Sequence, residues 1–439
     1  MSKLRASPFL KQCYVTAAVC STTIGHGTVV GFPAVLLPKL KQPGSHIAIS
    51  EEAGSWIASV TAITLLLGTF IAAPIMGQLG RRVAHFTVIA TLLLGWIVII
   101  LAENLVAIMI GRIIHGLSFG LMLPLRSVLL GEYTSPKNRG AFLTTISVTQ
   151  AFGILLVHTI GSLVTWHTTC LINLSFPIAS LLLTYYSPES PSWLAAKGRY
   201  EDCRLVFRWL RGDKEDEELE EMIRARIREE DKKRVSNLKD VVVVLKKKEF
   251  YKPIVIMVHT YLMGEFSGGA LMSCYSTTVI SLVTGPEVDA HLWMIALDIQ
   301  RNVSNLIAVF VVNRVRRRTM MLATGGLCIV SNIAIAAYAY AKVLGVLTYT
   351  ATWLPILLIN IQFFSVAVGM VCLPYVIAGE IFPLEYRSLG GSISIVSIAC
   401  GYFIVTKTFP ALVGSIGVHG SYTVYAAVMS YNMLIVWSL

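Results

Sequence analysis

Twelve apolar runs of roughly membrane-spanning length recur along the chain, at 12–34, 55–78, 85–101, 105–131, 140–166, 168–187, 252–283, 290–312, 319–341, 350–379, 388–414 and 420–439. A helix needs about 20 residues to cross the hydrocarbon core of a bilayer, because each residue advances it about 1.5 Å. Within lipid the backbone must satisfy its own N–H and C=O groups, so isolated runs of this length have to be helices. The ten-residue alternating segments of a transmembrane barrel are not seen. With 55% hydrophobic and 14% charged residues, and a mean hydropathy of +0.68, the chain is too apolar for a soluble domain. The expected fold class is an all-α membrane protein of twelve transmembrane helices. The first run is span-length and lacks a small-residue cleavage pattern, so no cleavable signal peptide is expected.

Charge orients the bundle. With a cytoplasmic N-terminus, 29 of the 36 Lys and Arg residues fall in cytoplasmic segments, and only Lys39, Lys41 and Lys342 fall in outer loops. That asymmetry is the positive-inside rule. The formal charge of +11 therefore reports membrane topology and implies no nucleic-acid partner. The run Leu245 to Phe250, LKKKEF, is expected to anchor the next span at the lipid interface, with membrane lipid as its partner.

One long polar stretch, 188–251, divides six spans from six, and its acids-then-bases order suits a water-exposed helix. The expected organisation is an N-terminal half, 1–187, a cytoplasmic helical linker, 188–251, and a C-terminal half, 252–439. Each half carries one charged corner after its fourth span: GEYTSPKNRG (Gly131 to Gly140) and GEIFPLEYRS (Gly379 to Ser388). Both place Gly-Glu first, a proline three or four residues after the Glu and an Arg seven after it. The two glutamates are 248 residues apart. GRR at Gly80 to Arg82 and RRR at Arg316 to Arg318 echo each other in the same way.

These motifs resemble the sugar porters of the major facilitator superfamily, the branch of facilitative glucose transporters and insect facilitated trehalose transporters. PESPSWLAAKGR (Pro188 to Arg199) matches the family's PESPRWL-x-x-KGR, with Ser192 replacing Arg. GRIIHGLSFG (Gly111 to Gly120), with Glu132 and Arg139-Gly140, matches the fourth-span signature. PYVIAGEIFPLEYRS (Pro374 to Ser388) matches the tenth-span signature, and IVTKTFPAL (Ile404 to Leu412) is most similar to the trehalose-transporter group. The resemblance covers essentially the whole length. It implies two six-helix pseudo-repeats, a midplane site between them and rocking alternating access.

The resemblance also assigns roles. A carboxylate at a helix C-terminus is disfavoured by the helix dipole unless guanidinium groups bind it. Arg81, Arg82 and Arg139 are the expected partners of Glu132, and Arg317, Arg318 and Arg387 those of Glu380, together forming a cytoplasmic gate. Gly77 and Asn313 stand where the family's loop motif carries an acid. The implied substrate-binding positions are Ser147, Gln150, Glu265, Tyr275 and Tyr375. Span seven reads GEFSGGA, with Gly264, Glu265 and Ala270 where the family has two Gln and an Asn; Ile398-Ala399 replaces an Asn-Trp pair. Most hexose-binding amides are absent.

Charged residues inside spans are costly and are read as functional candidates. Glu265 falls at a pore-facing position. Asp298 and Arg301, three residues apart, are expected to neutralise each other, and Arg126 to reach Glu132 or cytoplasmic water. His26, His158 and His259 are expected to be hydrogen-bonded helix residues, and Gly116 with Gly120 to form a close-packing face. The eight cysteines are scattered and suggest neither disulfides nor zinc. No nucleophile–base constellation, metal cluster or phosphate loop is present in the sequence, so neither an enzyme nor a cofactor is expected.

The expected function is facilitative transport of a sugar-like solute, trehalose- or hexose-like, at the plasma membrane, since the first span carries no acid. The alternatives are a proton-coupled or non-sugar transporter using Glu265, and a non-transporting nutrient receptor. The chain ends inside its twelfth span, where the family continues with a PETKG-type segment, so the sequence is expected to be either a truncated gene product or a natural variant lacking that tail.

Overall fold

The computed structural model describes residues 7–230, 248–285, 288–312, 314–347, 353–382 and 387–438. The first half holds six spans: α1 (Pro8–Leu40), α2 (Glu51–Gln78), α3 (Arg81–Ile100), α4 (Leu105–Tyr133), α5 (Pro136–Leu163) and α6 (Trp166–Tyr185). Three short helices follow, α7 (Pro191–Ala196), α8 (Tyr200–Arg211) and α9 (Asp216–Glu230). The second half runs through α10 (Phe250–Thr284), α11 (Ala290–Val312), α12 (Arg317–Val343), α13 (Trp353–Ala378, its helix continuing to Ile381) and α14 (Arg387–Ser438).

Among the described residues, eleven helices are long and apolar enough to cross a membrane, one fewer than the twelve apolar runs. The difference lies in α14, whose 52 residues would reach almost 80 Å if straight, far beyond a bilayer core of about 30 Å. Gly417 breaks it, at φ 73° and ψ 175°. The chain then turns back so that the Tyr425 hydroxyl reaches the Val405 carbonyl at 3.4 Å. One continuous helix assignment thus contains the eleventh and twelfth spans.

Proline placement explains several cross-helix bonds. A proline inside a helix leaves the carbonyl four residues earlier without its N–H partner. Pro33 frees the Val29 carbonyl, which takes Nη1 of Arg112 at 2.7 Å. Pro38 frees that of Ala34, which accepts from Thr277 at 3.4 Å. Pro124 frees Gly120, reached by Thr69 at 3.2 Å, and Pro410 frees Thr406, reached by the Tyr275 hydroxyl at 3.0 Å. In lipid each such carbonyl would otherwise cost several kcal/mol.

The two halves pack by different means. In the first, helices touch through glycine backbones. A Cβ on Gly120 would lie 2.0 Å from the Leu65 carbonyl oxygen, and one on Gly116 would lie 2.4 Å from that of Thr61, which joins α4 to α2. Gly27 and Gly153 join α1 to α5 in the same way, each 2.2 Å from a facing carbonyl. In the second half the centre is filled by side chains, with Met263, Met272, Met294, Met320, Met321, Met370 and Met429 all buried. Methionine fills irregular gaps and readjusts readily.

Helices α10 and α13 each contain a wide turn, at Glu265–Gly269 and Val366–Met370. Such π-turns leave backbone groups outside the regular ladder and recur at functional sites. The Ser267 carbonyl is satisfied by Gln362 Nε2 at 3.0 Å, which also donates to Asn332 Oδ1 at 2.7 Å. Gly268 holds φ 102°, a left-handed conformation with Gln362 packed directly against it.

The end of the bundle that carries α7–α9 is here termed the linker end, and the opposite one the far end. Near the far end the halves meet. Ser162 Oγ lies 3.2 Å from Nδ1 of His291, and Lys407 donates to Ser55 Oγ at 2.8 Å while stacking on Trp56. His158 Nδ1 lies 2.5 Å from Oδ2 of Asp298.

Candidate transport site

Between the halves, below the far-end contacts, polar side chains converge from four helices. Arg126 of α4 is nearly buried and donates from Nη1 to Gln150 Oε1 of α5 at 2.7 Å. Its partner is thus Gln150 on the neighbouring helix, where the sequence suggested Glu132 or cytoplasmic water, and Glu132 is taken by Arg81 and Ser190. Glu265 sits on the wide turn of α10, half-buried, with Gly401 of α14 packed against its Cβ and Cγ. Tyr375 of α13 is 45% exposed, although Arg126 and Glu265 both lie within Coulombic range of it. Its ring packs edge-on against Tyr261 of α10, with 5.7 Å between centroids. Leu65 and Leu123 pack on Ala399 beside this site.

The site thus brings a guanidinium from one half toward a carboxyl group from the other. A guanidinium donates charge-assisted bonds to hydroxyl oxygens, stronger than those of neutral donors. Ser147 is half-buried, and its hydroxyl donates to the Thr144 carbonyl at 3.1 Å on its own helix. Tyr275 departs from expectation. It is buried against Phe409, with its hydroxyl committed to the carbonyl freed by Pro410.

At the linker end of the first half, Glu132 accepts from Arg81 through Nε at 3.0 Å and Nη2 at 2.9 Å, and from the Ser190 hydroxyl. Arg82 and Arg139 have other partners. Arg82 donates to the Tyr185 carbonyl and stacks on Phe86, while Arg139 makes a 3.4 Å contact with the Thr134 carbonyl. Glu189 accepts the backbone N–H groups of Arg81 at 2.9 Å and Arg82 at 3.2 Å, capping α3. Burial pushes its carboxyl above the usual range, against the pull of those N–H groups and of Arg81. Arg211 of α8 donates to the Glu132 carbonyl at 3.3 Å, placing a cation at the C-terminus of α4. Ser190, Glu189 and Arg211 were not singled out from sequence, although the first two lie within the PESPSW motif.

The second half repeats this corner more loosely. Arg317 donates to Glu380 at 3.2 and 3.4 Å, with 31% and 55% of the two side chains exposed. Arg318 instead donates to the Trp437 carbonyl at 2.7 Å. The side chain of Arg387, and Asn313 and 245–247 entirely, lie outside the described residues. Each of the two Glu–Arg pairs lies within its own half. The Asp298–Arg301 pairing is also secondary, at 4.0 Å, since Asp298 turns to His158 and Arg301 to Ser273 at 3.0 Å and the face of Phe363.

Two sets of apolar helices, joined near the far end and carrying polar groups between them, define a polytopic membrane protein with the build of a transporter. The chain matches the family described as sugar (and other) transporter over residues 13–439, and it belongs to that family. It is similar to the facilitated trehalose transporter Tret1 of Apis mellifera ligustica, 26% identical over 424 residues that cover 96% of this chain and 83% of that protein. The Bombyx mori counterpart is also 26% identical, over 95% and 81% of the two chains. Among solved structures, the fold is similar to the xylose transporter XylE from E. coli in a partially occluded inward open conformation, with TM-score 0.76, 16% identity and 98% and 99% coverage. XylE bound to 6-bromo-6-deoxy-D-glucose gives TM-score 0.76 at 18% identity, over 97% and 96% of the chains. The fold is that of the major facilitator superfamily.

Proposed function

We propose that the chain carries a neutral, polyhydroxylated, sugar-like solute across the plasma membrane by facilitative alternating access, with its linker end cytoplasmic. Residues 1–187 and 252–439 move against each other as two halves joined by 188–251. One relationship supports this reading: Arg126 of the first half, bonded to Gln150, and Glu265 of the second both interact electrostatically with Tyr375, bringing polar groups of the two halves together. A solute between these groups bridges both halves, so its release and their separation are the same event. Ser147, on the same helix as Gln150, belongs to this site. At the linker end, Glu132 with Arg81, Arg82 and Arg139, and Glu380 with Arg317, Arg318 and Arg387, form the cytoplasmic gate, exchanging partners as the halves close. The relatives named as facilitated trehalose transporters support a disaccharide or hexose as substrate.

Uptake of radiolabelled trehalose, glucose and linear polyols by proteoliposomes, with and without a pH gradient, tests the proposal. Saturable uptake of at least one, independent of the gradient, is expected. Glu265 favours a second reading, a proton-driven or cationic solute, which gradient-dependent accumulation would establish instead.

A further inference from the structure

His158 and Asp298 belong to different halves, on α5 and α11, and both are almost wholly buried, at 0% and 4% side-chain exposure. Carboxylate and carbonyl oxygens only accept hydrogen bonds. Nδ1 of His158 faces Oδ2 of Asp298 at 2.5 Å, while Nε2 faces the carbonyl oxygens of Gly31 at 3.2 Å and Ser273 at 3.3 Å. If Asp298 is ionised, both ring nitrogens must carry hydrogen and the imidazole is cationic. If the imidazole is neutral and donates through Nε2, the hydrogen between Nδ1 and Oδ2 belongs to the carboxyl. Either way, the pair holds one proton more than a neutral histidine beside a carboxylate.

We propose that His158 and Asp298 form a proton-binding site between the halves, filled when the far end is closed and emptied when it opens. This rests on the alternating-access reading above. Opening parts α5 from α11 and lets water reach both groups. Asp298 then keeps Arg301 on its own helix as a counter-charge, and the imidazole, no longer held between the carboxylate and the two carbonyl oxygens, releases its extra proton. The bond broken is the N–H of the imidazolium, or the O–H of the carboxyl, and the proton passes to water. It enters and leaves from the far-end side, so it sets the conformational balance without being carried across. Other charged or titratable groups surround the pair. Arg301 and, farther along the helix, His291 lie on α11, Cys274 follows Ser273 on α10, and Lys39 lies on α1 toward the far end, donating to the Gly161 carbonyl at 2.7 Å. On α1 the contact itself is the Gly31 carbonyl.

The sign follows from linkage. The far-end-closed state binds more protons, so acid favours it and alkali favours opening, by up to about tenfold in the population ratio per pH unit. The test uses the full chain in nanodiscs, spin-labelled at Ser45 and Leu344 in the far-end loops of the two halves. Inter-label distances are measured from pH 5 to pH 8, with no solute needed. The short-distance population is expected to grow on acidification in the wild type and in His291→Gln. In His158→Gln and Asp298→Asn it is expected to be independent of pH. A wild-type distribution that does not change with pH overturns the proposal, as does a response retained in His158→Gln or lost in His291→Gln. Should His158→Gln fail to fold, Asp298→Asn and the wild-type series decide. Because no solute enters, failure here is separate from failure of the uptake experiment.

Discussion

Arg81 holds Glu132 through two parallel N–H···O bonds of 2.9 and 3.0 Å, with both side chains 17% exposed. Its counterpart in the second half, Arg317 with Glu380, is longer and far more open to water. Charge-assisted, partly desolvated bonds contribute about 1.5–3 kcal/mol, whereas exposed pairs contribute about 0–1 kcal/mol. Glu132→Gln should therefore lower stability by about 2 kcal/mol and Glu380→Gln by less than 1 kcal/mol. Denaturation of the two purified variants in one detergent checks the ranking, and a reversed order would refute it.

Gly268→Ala should destabilise the second half. The residue holds φ 102°, and an added Cβ would lie 2.6 Å from Gln362 Nε2, the group that satisfies the Ser267 carbonyl. Left-handed strain alone costs about 1–2 kcal/mol, and loss of the Gln362 bond adds about 1 kcal/mol more. Thermal unfolding should fall by several degrees; an unchanged midpoint would mean that the wide turn relaxes freely.

Tyr275→Phe removes the donor to the carbonyl that Pro410 leaves free, at a cost of about 1 kcal/mol. In a Pro410→Ala background the restored N–H can take that carbonyl, so the same substitution should cost much less. A double-mutant cycle measures the difference. Equal costs in both backgrounds would show that the hydroxyl and the proline are unrelated.

Glu265→Gln should leave the fold intact, because the amide is isosteric with the carboxyl and keeps the Cβ and Cγ that lie against Gly401. Solute affinity should fall at least severalfold, since an amide NH2, which only donates, replaces a carboxyl oxygen able to accept. Arg126→Gln should have the complementary effect from the other wall. Competition by a panel of hydroxylated solutes provides the measurement, and an unaltered profile in both variants would remove the two residues from the binding surface.

The spans were legible because lipid demands long apolar helices, and that demand is written locally, residue by residue. The break at Gly417 was missed as a break but anticipated as a gap between runs 388–414 and 420–439, since a bilayer limits span length. What could not be read were partners set by helix rotation. Arg126 could extend along α4 in either direction, and only the position of Gln150 on α5 decides. Likewise, Asp298 has Arg301 three residues away in sequence, yet it pairs with a histidine 140 residues distant. Tyr275 was placed among substrate ligands by resemblance. The signal that corrects it, a proline four residues after Thr406, stood in the sequence as Pro410.

The contrast between glycine-backed contacts in the first half and methionine-filled ones in the second assigns the halves unequal mechanical duties. Backbone against backbone leaves no room for adjustment, so α1, α2, α4 and α5 behave as a stator. Thioether side chains can repack at little cost, and both wide turns lie in that same half. The second half is thus expected to be the one that bends locally if the halves move against each other. Random substitution should then strike unevenly: bulkier residues at Gly27, Gly116, Gly120 or Gly153 abolish the fold, while exchanges among Met, Leu and Ile around α10 and α13 alter the pace of the cycle and spare its architecture.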